Sequence, residues 1–246
     1  MKAFIKHLKI QISMDFRNRG TLLTYYIIPL VFYIVMGAVF SSIQPESKYT
    51  LTPSMSIFAV TMGAVLGIPP TLIKMRESGT LRAYRVSSVP GWSALLTISL
   101  SAFINLILVS TIILISAPLI FGAAAPANIL VFYLVLFLFT FASISLGILI
   151  GVTSKTQALA TILSQVVFLP SLLLGGLMFP ASMLPQPMQW AGMAFPATHA
   201  MQAFSNWAFG MDSSGHSPLP IFIMLGILII TASLGLLQFR RISKDV

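Results

Sequence analysis

The chain reads as long apolar runs separated by short polar stretches. Six runs approach or exceed membrane-spanning length, at residues 22–40, 54–73, 92–117, 129–151, 158–178 and 220–239. A helix needs about 20 consecutive apolar residues to cross the hydrocarbon core, so each run is long enough to cross once. None shows the polar/apolar alternation of barrel strands, and in lipid every backbone amide must be paired inside its own segment or in a closed barrel. The expected fold is all-α integral membrane: six transmembrane helices in one transmembrane domain covering residues 1–246.

Two stretches outside these runs carry their own pattern. Over residues 1–21, Phe4, Ile5, Leu8, Ile12 and Phe16 fall on one arc of a helical wheel, and Lys2, Lys6, Lys9, Ser13 and Arg17 on the next. This pattern predicts an amphipathic helix lying in the membrane interface, apolar face in the acyl boundary and lysines at the headgroups. A cleaved signal peptide fits less well, because the apolar run that follows is too long and lacks a small-x-small cleavage site. Residues 179–218 contain an uncharged half that could be drawn as a seventh span. They also contain Pro180, Pro185, Pro187, Pro196, Gln186, Gln189, His199, Gln202 and Asn206, which break a helix or are costly in lipid. Two short re-entrant helices dipping in from the outer face, Met183 to Met193 and Ala197 to Phe209, are expected instead.

Charge decides the orientation. Only 8% of the residues are charged, and residues 86–154 and 156–211 hold a single one, Lys155, at their junction. With six spans both termini share a face. That face collects Lys2, Lys6, Lys9, Arg17, Arg19, Lys74, Arg76, Arg82, Arg85, Lys155, Arg240, Arg241 and Lys244, leaving only Lys48 opposite. The positive-inside rule therefore places both termini in the cytoplasm. The net charge of +9 is then a topology signal, and no nucleic-acid partner is expected.

The candidate chemistry is sparse. The chain has no cysteine, which excludes disulfides, thiolate metal sites and thiol catalysis. Its five acids, Asp15, Glu46, Glu77, Asp212 and Asp245, all lie outside the expected spans. An ion-coupled transporter needs ionisable groups in the membrane, so a self-contained secondary transporter or channel is the lesser reading, kept open because backbone carbonyls of broken helices can bind Na⁺. No P-loop is present, and residues 147–155 lack its spacing. Ser214-Gly215-His216 resembles one element of membrane lipid phosphatases, but the accompanying Lys/Arg-Pro element and second Arg and His are missing, and a turn explains it. An intramembrane serine protease would need a G-x-S-x-G element, which does not occur. Met178, Met183, Met188 and Met193 recur every five residues. That spacing scatters their thioethers around a helix, which favours adaptable packing over a Cu(I) site. Gly63-x-x-x-Gly67 and Gly147-x-x-x-Gly151 let helix backbones approach closely, within one chain or between two.

The stretch 74–90 is the one substantial polar segment between spans. Glu77 among Lys74, Arg76, Arg82 and Arg85, with Leu81 and Tyr84 at helical spacing, has the composition of a docking surface on a short helix parallel to the membrane. Here the chain resembles the permease subunits of type-2 ABC exporters, in particular the bacterial drug and antibiotic efflux branch. Arg76-Glu77-Ser78-Gly79-Thr80-Leu81 with Pro90 behind it matches that family's Glu-x-Gly-Thr-Leu and Pro element after the second span. Gly175-Gly176, Phe179-Pro180, Leu184-Pro185 and Phe195-Pro196-x-Thr198 match its Gly- and Pro-rich outer segment. Arg82 departs from it, since many members carry Glu there. The resemblance implies a non-enzymatic permease in the bacterial inner membrane, paired with a second permease chain, identical or paralogous. Two copies of a cytoplasmic P-loop ATPase would bind ATP and Mg, and this chain would hold no cofactor or metal. Arg76, Glu77, Gly79, Thr80, Leu81, Tyr84 and Arg85 would then form the coupling segment. Phe179, Pro180, Trp190, Phe195, Pro196 and Phe204 would line an outer gate for a hydrophobic or amphipathic cargo.

Overall fold

The computed structural model describes residues 2–43, 48–79, 92–210 and 217–245. Among them every regular element is helical. α1 spans Lys2–Arg17. Asn18 then takes extended backbone and its side chain accepts from the Gly20 amide, starting a new helix in a new direction. That helix, α2, runs from Arg19–Leu22 through a π-helical turn, Leu23–Ile27, into Ile28–Ile43. α3 covers Leu51–Thr61, a second π-helical turn, Met62–Gly67, and Ile68–Glu77. α4 is Trp92–Phe121, α5 is Ile129–Thr153 and α6 is Gln157–Leu174. A 3₁₀ turn, Ala181–Met183, and two short helices follow, α7 (Gln186–Gly192) and α8 (Pro196–Ala203, continued by a π-helical turn, Phe204–Ala208). α9 closes the series at Leu219–Asp245.

Six of these helices, α2, α3, α4, α5, α6 and α9, are long and apolar enough to cross a membrane. Local capping sets several of their ends, and the end of α6 departs from the expected one because of it. α5 begins where the Asn128 side chain accepts from the Val131 amide, and α6 where Thr156 accepts from Leu159. α6 stops four residues short of the expected end because Gly175 caps it and Gly176 takes a left-handed φ of 75°. α4 runs on to Phe121 through Pro118.

α3 is the centre of the bundle. Within its apolar stretch 78% of the residues are buried, against 22% for α2, α6 and α9. Small residues make that centrality possible. A Cβ on Gly67 would lie 2.5 Å from the Tyr25 ring, and one on Gly63 would strike Leu106 and lie 3.1 Å from the same ring. A Cβ on Gly147 would collide with the Ala64 carbonyl oxygen, and one on Gly151 would sit 3.1 Å from the Pro69 Cα. Both glycine pairs therefore serve contacts inside one chain, seating α2, α4 and α5 against α3. The two π-helical turns of α2 and α3 also touch each other, with the buried Tyr25 between them. Elsewhere α5 packs along most of α9, where Ser145 and Thr231 share a hydrogen bond of 2.5 Å. Such interhelical bonds hold helices that hydrophobicity alone cannot hold in lipid.

Candidate coupling face and outer segment

The end of α3 is shaped by its sequence. Ser78 N–H donates to the Lys74 carbonyl and Gly79 N–H to Arg76, while Gly79 takes a φ of 69° that a side chain would strain. The helix is thereby stopped directly after Glu77, which stands exposed. Arg76 turns the other way. It is half-buried, and its guanidinium donates to the carbonyl of Ser154, the C-cap of α5. Arg76 also borders a cavity of about 20 Å³, room for one water, walled by Leu72, Ala94, Gly151 and Phe239. Four membrane-length helices, α3, α4, α5 and α9, thus meet around one arginine at the face that holds the termini. The remaining expected coupling residues, Thr80, Leu81, Tyr84 and Arg85, lie outside the described residues, as do Asp212 and the Ser214-Gly215-His216 turn.

A second polar site lies on the same side of the bundle. Among the described side chains of α1, residues 8–17, Leu8, Gln11, Ile12 and Asp15 are half-buried, a stripe at helical spacing, while Ile10, Met14 and Phe16 are exposed. Leu8 and Ile12 face inward as the wheel predicts, but Phe16 stays 46% exposed and stacks on Tyr26 at 5.7 Å. Gln11 and Asp15 take places on the packed face. The Asp15 carboxylate accepts from Gln11 Nε2 at 2.9 Å, from the Ser101 hydroxyl at 2.6 Å and from Asn105 Nδ2 at 3.4 Å. Asn105 in turn accepts from the Tyr26 hydroxyl at 2.6 Å and donates to the Ser101 carbonyl at 2.9 Å. One connected network therefore joins α1, α2 and α4. Burial pushes the Asp15 carboxyl above its ordinary value of 3.8, and the hydrogen bonds from Ser101 and Gln11 pull it partly back.

Asp15 lies outside the membrane-length helices, as expected from the sequence, but it is not a solvent-facing acid. Its carboxylate is bonded to the buried side of one of them. The sequence held a signal for it: Asn105 is the one amide in α4, and Gln11/Asp15 and Ser101/Asn105 are two polar pairs at i, i+4 spacing. A buried amide in an apolar helix demands a partner.

On the opposite side, α7 and α8 fold back on each other. Thr198 Oγ1 donates to the Gly192 carbonyl at 2.6 Å. His199 Nε2 lies 2.8 Å from the Met193 carbonyl; a carbonyl only accepts, so Nε2 carries a proton there. Gly192 abuts α6, since a Cβ there would lie 2.8 Å from the Leu174 carbonyl oxygen. The six aromatic and proline candidates do not gather in one place. Phe179, Pro180 and Trp190 are exposed, Trp190 by 65%. Phe195 is half-buried and Pro196 buried at the start of α8. Phe204 is fully buried in the core, 4.9 Å from the Phe132 ring.

Among the described residues no three His, Cys, Asp or Glu side chains come together as a metal site, and the geometry shows no nucleophile–base pair. The helices position, pack and offer surfaces; the chemistry they carry is hydrogen bonding.

Comparison with known proteins agrees with this arrangement. The ABC-2 type transporter family matches residues 4–209. A Dictyostelium discoideum protein, ABC transporter G family member 20, is 27% identical over 162 residues, covering 65% of this chain and 22% of the relative. A probable multidrug ABC transporter permease of Escherichia coli strain K12, YbhR, is 23% identical over 199 residues, covering 80% of this chain and 53% of the relative. The chain thus spans about half or less of the length of these curated relatives. With the family matched across most of its length and six membrane-length helices beneath that match, this chain belongs to the ABC-2 type transporter family.

Proposed function

We propose that the chain is the membrane-spanning permease subunit of an ATP-driven exporter, moving a hydrophobic or amphipathic compound outward from the cytoplasm or inner leaflet. The family match over residues 4–209 carries this reading, and the multidrug description of the Escherichia coli relative suggests the cargo class. Both termini are cytoplasmic, in a bacterial inner membrane. Residues 74–90 couple to two copies of a P-loop ATPase that binds ATP and Mg. Glu77, exposed at the stop imposed by Gly79, begins the docking surface, continued by Thr80, Leu81, Tyr84 and Arg85. Arg76 passes its movement to α5. α1 forms a second lever: a push on it reaches α4 through Asp15 and Ser101.

A second permease chain seats on α6. Its exposed face carries Ile162, Val166, Leu169 and Leu173 with Gln165 among them, and an amide that faced lipid would be costly. Under a two-fold axis it meets the same residue of the other copy. α7 and α8 re-enter from the outside and border the exit, with Phe179 and Trp190 offering apolar surface to the leaving compound.

The test is co-expression with a candidate P-loop ATPase. Co-purification, ATP-dependent transport in vesicles and loss of both on Glu77→Ala support the reading. Transport by the purified chain alone in ATP-free proteoliposomes would reject it. That outcome belongs to the second reading, a self-contained secondary transporter or channel, for which the half-buried Asp15 against α4 is the ionisable group to test first.

A further inference from the structure

Where α5 and α9 approach their ends at the termini-bearing face, they part to leave a notch of about 290 Å³, at the lower end of the size range of small-molecule sites. Leu234, Leu237, Gln238 and Arg241 line it from one face of α9, at i, i+3, i+4 and i+7, and Leu149 and Thr153 from one face of α5. The helices are close just inside the notch, where a Cβ on Gly235 would lie 3.6 Å from Ile148 Cγ2 and 3.8 Å from the Leu149 amide nitrogen. The lining is graded along the helix axes. Leu149, Leu234 and Leu237 form the part nearer the middle of the membrane, and Thr153, Gln238 and Arg241 the part nearer its surface. The Thr153 hydroxyl donates within α5, to the Leu149 and Ile150 carbonyls. The donors at the mouth are therefore the Gln238 amide and the Arg241 guanidinium.

The geometry points to a binding site for an anionic phospholipid of that leaflet, with an acyl chain along the leucines and its phosphate on Gln238 and Arg241. An apolar slot ending in a cation is complementary to a phospholipid, and a guanidinium grips phosphate through two parallel hydrogen bonds. The neighbouring Arg240 is also exposed but does not line the notch, which separates a built site from diffuse attraction to a basic helix end. The site stands apart from the transport reading and holds whether or not an ATPase binds.

The experiment is native mass spectrometry of the purified full chain, titrated with 1-palmitoyl-2-oleoyl phosphatidylglycerol and, separately, the phosphatidylcholine of the same chains. Wild type is expected to retain phosphatidylglycerol at least about fivefold over phosphatidylcholine. Arg241→Gln is expected to abolish that preference and Arg240→Gln to keep it. Leu234→Trp, filling the slot, is expected to reduce binding of both lipids, and Gln238→Leu gives a second reading of the mouth should the Trp variant not fold. Equal retention of the two lipids by wild type would overturn the proposal. So would equal losses in the two arginine variants, or a Leu234→Trp variant that folds, binds lipid undiminished and instead sheds a second protein chain.

Discussion

The carboxylate of Asp15, on the helix α1, accepts a 2.6 Å hydrogen bond from the hydroxyl of Ser101, a buried residue of the third membrane-length helix. The contact ties α1 to α4. Removing the carboxylate leaves Ser101 and Asn105 short of an acceptor in a buried place. Asp15→Ala is expected to weaken docking of α1, and a double-mutant cycle with Ser101→Ala to give a coupling of about 1–2 kcal/mol, between values for charged hydrogen bonds and those inside membranes. Chemical unfolding in detergent measures it; additive single variants would show that the bond contributes nothing.

The same carboxyl makes docking pH-dependent. Its value in the docked state is raised above 3.8, so the packed form holds its proton more tightly than a free helix would. The proton-linked part of the docking free energy is therefore fully present below 3.8 and is lost as the pH rises through the raised value, while the hydrogen bonds to the carboxylate remain. Hydrogen exchange of residues 8–17 is expected to slow as the pH falls, after correction for intrinsic rates. Asp15→Asn, which cannot titrate, is expected to remove the change.

Arg76 and Glu77 are adjacent in sequence but separable by experiment. Arg76 is bonded to the Ser154 carbonyl, and Glu77 stands exposed. Arg76→Ala is expected to lower stability by about 1–3 kcal/mol, through the loss of a charged hydrogen bond and an unpaired carbonyl. Glu77→Ala is expected to leave stability within about 0.5 kcal/mol, as for other exposed sites, and to impair ATPase co-purification instead. Thermal unfolding beside a pull-down checks both; equal destabilisation would refute the division of roles.

Glycine substitutions test the packing around α3. At Gly147 an added Cβ meets the Ala64 carbonyl oxygen, which is backbone and cannot swing aside, whereas at Gly226 nothing lies within 4 Å. Gly147→Ala is expected to cost about 1–3 kcal/mol through overpacking. Gly226→Ala is expected to be neutral or to stabilise by up to about 1 kcal/mol through helix propensity. A comparison of melting temperatures at matched detergent concentration distinguishes them.

Much of the fold was legible because lipid imposes a one-dimensional rule. A segment of about 20 apolar residues must pair its own amides, so residues 129–151 announce a helix whatever surrounds them. The glycine cap Gly175–Gly176 then ends α6 four residues before the expected 178, a local effect that hydropathy does not weigh. The candidate sites were less legible. Phe204 has the composition of a lining residue, but its ring belongs to the core beside Phe132. A helical wheel reports the polarity of a face and not what lies opposite, so the partners of Asp15 on α4 could not be read from α1 alone.

The number of membrane-length helices, the clustering of cations on the face of the termini and the absence of cysteine chemistry follow from residue type and order alone. Which surfaces meet comes only from packing: Gly63, Gly67, Gly147 and Gly151 close contacts within this chain, Arg76 binds across to Ser154, and Asp15 reaches Ser101. These pairings join positions up to 86 residues apart. They rest on backbone proximity and the demand of buried polar groups for partners, which come into being only when the helices have packed.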